Sequence, residues 1–290
     1  MAQLAGTIQG SPRGPNTIGL NHGLHFTGGE PFLNFDLLRK AVQTAHDLNI
    51  PSLFVETNCF WSINEEVARE KLGQLQTAGL HGILISVNPF ILEYVPFERT
   101  ERAIRISAEV FGSNVITYQA FFYHQFKGLN ISGTLSFETY LRRAGAHCLS
   151  YIELLPLGRA CYALEHLYPT HPASTFFGAS CRAKLTRPWH IHVDNYGNYI
   201  TGYCGGLSLG DARHLDALRQ INLDDRPILR ALVTDVKDLY ELGEEFGYED
   251  RDEGYVSKCH LCVDIRKHIV QKTDTFTELS PREFYQHLTP

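Results

Sequence analysis

Seven cysteines are the residues of this 290-residue chain best suited to metal or redox chemistry. Only Cys259 and Cys262 have the CxxC spacing typical of an intracellular metal or redox site. Cys181 precedes a predicted β-hairpin and Cys204 ends it, so we predict that these two thiols complete a four-cysteine metal site. Four thiolates suit either tetrahedral zinc or a [4Fe–4S] cluster, and the cysteines alone do not choose between the two.

Other thiol, imidazole and guanidinium groups are predicted to be structural. Free cysteines are commonly buried as small apolar residues, alternating histidines suit a polar strand face, and an arginine at a helix start usually pairs locally. The residues interpreted in this way are Cys59, Cys148, Cys161, His22, His25, His190, His192 and Arg159.

A second chemical feature is the segment Thr27-Gly28-Gly29-Glu30-Pro31, which ends an apolar run and precedes an amphipathic stretch. Two glycines let the backbone turn sharply and let a ligand approach it closely. Glu30 adds an acceptor suited to an ammonium group, and Pro31 fixes the exit from the turn. The pattern fits a ligand-binding turn, and it equally fits a tight structural turn with a solvated carboxylate.

Composition indicates a globular protein with a substantial core. The chain is 43% hydrophobic and 20% charged, with a net charge of -6 and a pI of about 6.1. It has no basic run that would suggest nucleic acid as a partner, no apolar stretch of the roughly 20 residues that span a membrane, and no apolar core of a signal peptide. We therefore expect a cytoplasmic protein, in which an odd cysteine count argues against disulfides.

The elements that must position these residues alternate between strand and helix. Short apolar strands, predicted to be buried on both faces, indicate a parallel sheet. The predicted strands are 24–27, 52–57, 82–87, 114–121 and 150–155, and the predicted helices are 35–48, 63–78, 97–111 and 136–145. Asn34 is the predicted N-cap of the first helix, and Ser62 with Glu65 that of the second. Five such units favour a partial (β/α) barrel, although the periodicity also allows a doubly wound open sheet.

The pattern changes near residue 170. Two strand-like runs flank the turn 195–198, followed by a predicted helix 226–246, a charged loop, the CxxC and a short helix 263–270. We predict four regions: an irregular segment 1–23, a partial barrel 24–170, a small metal domain 171–275 and a C-terminal tail 276–290.

In chain order, five segments resemble the radical S-adenosylmethionine (SAM) enzymes. "TGGEP" resembles the family's motif of that form, "FVETNCF" its third-strand ETNG with Cys59 in place of the usual glycine, and "ISVNPF" a fourth-strand Ser-x-Asn end. "LLPLGRA", residues 154–160, is similar to the sixth-strand segment. The hairpin "DNYGNYITGYC" with the following CxxC resembles a SPASM or Twitch auxiliary cluster domain. The resemblance covers residues 24–270.

The resemblance implies a fold, cofactors and site residues. It implies a radical SAM barrel with a Twitch-like domain holding one auxiliary [4Fe–4S] cluster on Cys181, Cys204, Cys259 and Cys262, with zinc as the alternative. It also implies three sets of contacts with SAM. The amino group of SAM would contact Gly28, Gly29, Glu30 and Pro31. The ribose would lie near Ser86 and Asn88, and the adenine near the backbone from Leu155 to Gly158. The spacing from Gly197 to Cys204 departs from the usual G-x4-C.

The family's CxxxCxxC motif is missing, because residues 1–58 contain no cysteine. The first strand–helix unit is missing with it, and a misplaced start codon, a gene fragment or a separate upstream chain would each explain both. The resemblance implies an enzyme that uses an electron donor and SAM for radical chemistry on a peptide or a small molecule, with catalytic residues not identified. We expect this chain alone not to cleave SAM. The alternatives are a non-catalytic metal- or cluster-binding scaffold of the same descent and an unrelated α/β barrel enzyme with a zinc site.

Overall fold

A computed structural model describes residues 13–14, 16–151, 157–187 and 189–288. The chain divides into two compact units, Met1–Glu153 and Leu154–Pro290, where the sequence pattern placed the boundary near residue 170. Each unit is described separately below.

The first unit is built on a four-stranded parallel sheet. Its strands lie in the order of the chain, from β1 to β4. They are β1 (Leu24–Phe26), β2 (Leu53–Thr57), β3 (Gly82–Ser86) and β4 (Val115–Tyr118). Leu24 pairs with Leu53, Val55 with Ile83, and Ile83 with Val115. The predicted α/β class with a parallel sheet is confirmed.

Helices lie between these strands in the chain and after the last of them. Helix α1 (Phe35–Asp47) joins β1 to β2, α2 (Glu65–Thr77) joins β2 to β3, and α3 (Pro89–Leu92) with α4 (Phe97–Phe111) joins β3 to β4, while α5 (Ala120–Gly128) and α6 (Phe137–Ala144) follow β4. Since connections between parallel strands are right-handed as a rule, α1, α2 and α4 are expected on the same side of the sheet. The strand residues on that side, Val55, Ile83 and Ile85 among them, are completely buried. The other face packs Phe54 and Leu84 against Ile18.

The structure corrects two local predictions in this unit. Asn64, and not Ser62, caps α2: its side chain accepts a hydrogen bond from Val67 N at 2.8 Å, whereas Ser62 is buried. The fourth strand ends at Tyr118 rather than at residue 121, and helix α5 replaces the predicted polar loop. Residue 119 turns the chain with φ 61°, and the buried Phe122 and Phe126 lie one helical turn apart. Their i, i+4 spacing, and not the strand period, governs this segment.

The second unit consists of helices and one hairpin. The elements are α7 (Ala160–Ala163), α8 (Arg182–Leu185), β5 (Ile191–Val193), β6 (Tyr199–Thr201), α9 (Pro227–Thr234), α10 (Val236–Glu245), α11 (Lys258–Lys272) and α12 (Glu283–Gln286). The predicted hairpin is confirmed, with Ile191 opposite Thr201 in an antiparallel pair. Asp194 closes its turn by accepting from Asn198 N at 2.8 Å. The core lies between α9, α10 and α11 and includes the fully buried Ile228, Leu239 and Ile265.

Three predictions in this unit change. The helix expected over 226–246 breaks at Asp235, whose carboxylate accepts from Lys237 N at 2.9 Å and so begins α10. The helix expected over 263–270 runs from 258 to 272 and contains the CxxC. The expected C-terminal tail packs into the unit as far as residue 288, with Leu279 and Tyr285 buried.

Residues 152–156, most of the strand predicted at 150–155, lie outside the described residues, and the preceding segment Ala146–Tyr151 is a 3-10 helix. Among the described residues, no helix has the length and apolar character needed to cross a membrane.

Candidate metal centre

The CxxC occupies the first turn and a half of helix α11. Ser257 caps the helix, because its Oγ accepts a hydrogen bond from His260 N at 3.1 Å. Residues three apart share a helix face, so Cys259 and Cys262 project to the same side. Cys259 is half-buried and Cys262 is buried.

Cys181 and Cys204 approach this helix from two other segments of the second unit. Cys181 lies just before α8, and its backbone N–H donates to Leu232 O on α9 at 2.7 Å. Cys204 follows β6 in a turn closed by Leu207 N donating to its carbonyl at 3.1 Å. Both side chains are half-buried and pack against the core of the unit. The hairpin therefore carries its thiol to α11.

Electrostatic effects among the four thiols show that they lie close together. Burial raises the pKa of Cys259 to about 12, and the neighbouring Cys262, Cys181 and Cys204 add to the rise. Burial also raises the pKa of Cys204 to about 11, with Cys262 and Cys181 adding to it and Arg266 opposing it. All four are free thiols. Among the described residues, no three cysteine sulfur atoms lie within 4.8 Å of one another.

Cationic side chains surround these thiols. Lys258 and Arg266 lower the pKa of Cys181, and Arg266 and Arg187 lower that of Cys204, in each case against the larger effect of burial. Arg266 and Arg187 are 5% and 9% exposed. Burial lowers the pKa of Arg266, but Tyr285, Cys262 and Cys204 outweigh it and the net pKa is raised. These cations partly offset the burial that favours the neutral thiols.

A fifth thiol, Cys161 on α7, adjoins the same site. It is fully buried, and its pKa is raised to about 12 by burial and by the neighbouring Cys259, with a hydrogen bond to the Ser257 side chain opposing the rise. Helix α7 is held there by Tyr162, whose hydroxyl donates to Asp264 at 2.8 Å. Sequence analysis missed this proximity, because no short spacing links Cys161 to the other cysteines.

The remaining cysteines are fully buried, as expected of structural thiols. Burial raises the pKa of Cys59 well above its usual range and also that of Cys148. Cys59 has φ 67°, a left-handed conformation that explains why a glycine suits this position. His190 and His192 lie on one side of the hairpin with ring centroids 4.9 Å apart, and Arg159 is exposed next to α7.

In the first unit, Glu30 joins the turn 27–31 to the end of β2. Its carboxylate accepts from Thr57 Oγ1 at 2.9 Å, Asn58 N at 2.7 Å and Phe32 N at 3.2 Å. Burial raises the pKa of Glu30, and these three hydrogen bonds oppose the rise. The side chain predicted to hold an ammonium group is thus engaged within the protein.

The two glycines of this turn are open to solvent. Gly28 has φ 128°, and a Cβ built on Gly28 or Gly29 would meet no atom within 4 Å. A ligand can therefore reach the backbone of the turn. Pro31 begins the short 3-10 helix Pro31–Asn34, which Glu30 caps.

The predicted ribose residues lie at the end of β3. Ser86 is half-buried and pairs with Tyr118 of β4. Asn88 caps α3, since its side chain accepts from Ile91 N at 3.0 Å. Of the predicted adenine segment, Leu155 lies outside the described residues and Gly158 has φ 53° in the second unit.

Sequence analysis also missed Glu56, which forms a polar group with His25 and Thr27. Glu56 Oε1 lies 3.0 Å from His25 Nδ1, and Oε2 accepts from Thr27 Oγ1 at 2.8 Å. The strand alternation already placed all three on the face of the sheet opposite the buried Val55. His25, predicted to be an ordinary strand residue, is therefore oriented by a carboxylate.

Comparison with models of known protein families and with curated protein sequences finds no match to this chain. The resemblance to radical SAM enzymes thus rests on the order of the motifs in the sequence.

Proposed function

We propose that this chain is a radical SAM-type protein whose second unit holds one auxiliary [4Fe–4S] cluster on Cys181, Cys204, Cys259 and Cys262. The observation that carries this proposal is the convergence of four free thiols from three separate segments, with buried arginines beside them. Thiolates carry negative charge and bind metals, so cations that favour the thiolate form support a metal centre.

The resemblance to an auxiliary cluster domain favours a cluster over a single zinc ion at this site. Four thiolates would serve either centre: they would bind one tetrahedral zinc ion together, or each would bind a different iron of a [4Fe–4S] cluster.

For the first unit, we propose a partial radical SAM barrel that binds SAM at the carboxyl ends of its strands. The exposed backbone of Gly28 and Gly29 would contact the amino group, while Glu30 and Pro31 hold the shape of that turn. Ser86 and Asn88 would adjoin the ribose. In the family, reductive cleavage of SAM supplies radical chemistry, directed at a peptide or a small molecule. That step would need an electron donor and a SAM-binding cluster, for which residues 1–58 offer no cysteine.

The alternative is a non-catalytic, cluster-binding scaffold or partner of the same descent. The observation that favours it is the lack of any cysteine in residues 1–58, where the family carries CxxxCxxC. Both proposals predict the same centre at residues 181–262. They differ in whether SAM still binds to the first unit.

Metal analysis after anaerobic purification and reconstitution tests the cluster. We expect about four irons and four sulfides per chain, and a paramagnetic signal after reduction. The single variants Cys259→Ser and Cys262→Ser should lose most of the iron. Cys148→Ser, a buried free thiol of the first unit, is the matched control and should retain it. Zinc bound in place of iron and sulfide would contradict the cluster.

Incubation with SAM and a strong reductant tests the reaction. We expect the chain alone to produce no 5′-deoxyadenosine, and its detection would contradict that expectation. Calorimetric titration with SAM separates the two proposals. Saturable binding that a bulky side chain at Gly29 abolishes favours the enzyme, whereas no binding favours the scaffold.

A further inference from the structure

Arg266 lies on helix α11, one turn after Cys262, and its side chain turns back toward that cysteine. Its Nε donates to Cys262 O at 3.3 Å, and the Cys262 thiol is among the groups that raise the pKa of Arg266. Nη1 donates to Gly205 O at 3.1 Å, in the residue that follows Cys204. One buried cation therefore contacts the peptide segments that carry two of the four thiols.

Among the described residues, the hydrogen bonds of this cation go to backbone oxygens and to the Tyr285 hydroxyl, and none goes to a carboxylate. The titratable groups that act on it most are Tyr285, Cys262 and Cys204. A buried charge without a counter-ion is strongly unfavourable. The cluster proposed on Cys262 and Cys204 would supply that negative charge.

We propose that Arg266 is a positioning residue of the thiolate centre, which places a fixed positive charge beside Cys262 and Cys204 and so raises the reduction potential of the cluster that they hold. The inference rests on the proposed cluster. A positive charge next to the centre stabilises the reduced form more, because reduction adds one negative charge.

Tyr285 of helix α12 keeps the guanidinium in place. Its hydroxyl accepts from Arg266 Nη1 at 2.9 Å and donates to Gly206 O at 2.5 Å. The ring fits because residue 206 has no side chain: a Cβ there would lie 2.9 Å from the ring carbon Cζ of Tyr285. The C-terminal segment thereby closes over the site and keeps water from the guanidinium.

The test compares reconstituted full-length variants by redox titration followed with electron paramagnetic resonance. Arg266→Gln retains hydrogen-bond donors but loses the charge, and Arg266→Lys retains the charge. The matched control is Arg282→Gln, because Arg282 also donates to backbone carbonyls of this unit, at Val270 and Thr273. We expect Arg266→Gln to shift the potential to more negative values and the other two to stay at the wild-type value. Tyr285→Phe should shift it in the same direction by less.

Equal potentials in the wild type and Arg266→Gln, at equal iron content, would overturn the role of Arg266 and leave the cluster standing. Equal shifts in Arg266→Gln and Arg266→Lys would also overturn it, since geometry and not charge would then be responsible. Wild-type protein that retains no iron overturns the cluster itself, and the inference with it. If Arg266→Gln does not fold, as judged by circular dichroism, an unshifted potential in Tyr285→Phe overturns the proposal.

Discussion

Glu30 illustrates how a residue suited to ligand binding is used within the fold. Its carboxylate accepts hydrogen bonds from the side chain of Thr57 and the backbone of Asn58 and Phe32. A carboxylate offers about four acceptor positions, so three are engaged by the protein. Glu30 therefore stabilises the turn that would present Gly28 and Gly29 to a ligand.

Glu30→Gln should make the first unit less stable. The amide retains one acceptor but cannot accept from all three donors, and a buried unpaired donor costs about 1–3 kcal/mol. Urea unfolding of the purified variant at neutral pH measures this loss. Glu93→Gln is the matched control, since Glu93 accepts from a single backbone N–H, that of Phe137.

The stability difference between wild type and Glu30→Gln should also depend on pH. Because the folded pKa of Glu30 is raised above its ordinary value of 4.5, the folded state binds this proton more tightly than the unfolded state does. Its contribution to stability is complete below pH 4.5 and is lost as the pH rises through the folded pKa. The advantage of wild type over Glu30→Gln should therefore shrink over that interval and then stay constant. An advantage that grows with pH would contradict the raised pKa.

At the scale of elements, helix α11 presents the CxxC by means of its cap. Ser257 accepts from His260 N and fixes the turn that carries Cys259 and Cys262. Its hydroxyl also hydrogen-bonds Cys161. The start of this helix therefore sets the position of three thiols.

Ser257→Ala should lower the free energy of unfolding by about 1 kcal/mol, the typical contribution of an N-cap, and should also reduce the iron retained after reconstitution. Ser136→Ala is the matched control, because Ser136 caps α6 in the first unit by accepting from Thr139 N. The control should lose similar stability and retain its iron. Equal iron in the two variants would show that the cap does not position the thiols.

Element prediction from the sequence succeeded where the apolar pattern was regular. The helices at 35–47 and 97–111, the parallel strands and the hairpin all followed from it. It failed at α5, where Phe122 and Phe126 follow a strand without a break in apolar character. It also failed at Asp235, where helix α9 ends and the Asp235 carboxylate caps the start of helix α10. Where a helix begins or ends depends on which backbone N–H and C=O groups find hydrogen-bond partners. The hydrophobic periodicity of the sequence carries no information about those partners.

At the scale of the whole molecule, the chain has two compact units, each with its own core. We expect calorimetry of the full chain to resolve two unfolding transitions. A ligand that binds only one folded unit stabilises that unit, so reconstitution with iron and sulfide should raise only the transition of residues 154–290. The quadruple Cys→Ser variant at the proposed ligands should abolish the shift. A shift of both transitions would contradict independent units.

The sequence alone determined the α/β class, the hairpin, the open turn at Gly28 and Gly29, and the CxxC as a metal-binding candidate. All of these depend on neighbours in the chain. The tertiary structure was needed to place Cys161 beside the CxxC, to turn Arg266 toward Cys262, and to engage Glu30 with the end of β2. These arrangements join segments up to 98 positions apart, as with Cys161 and Cys259. Tertiary packing determines which distant side chains come into contact and which charged groups are buried away from water. The spacing of residues along the chain does not specify either.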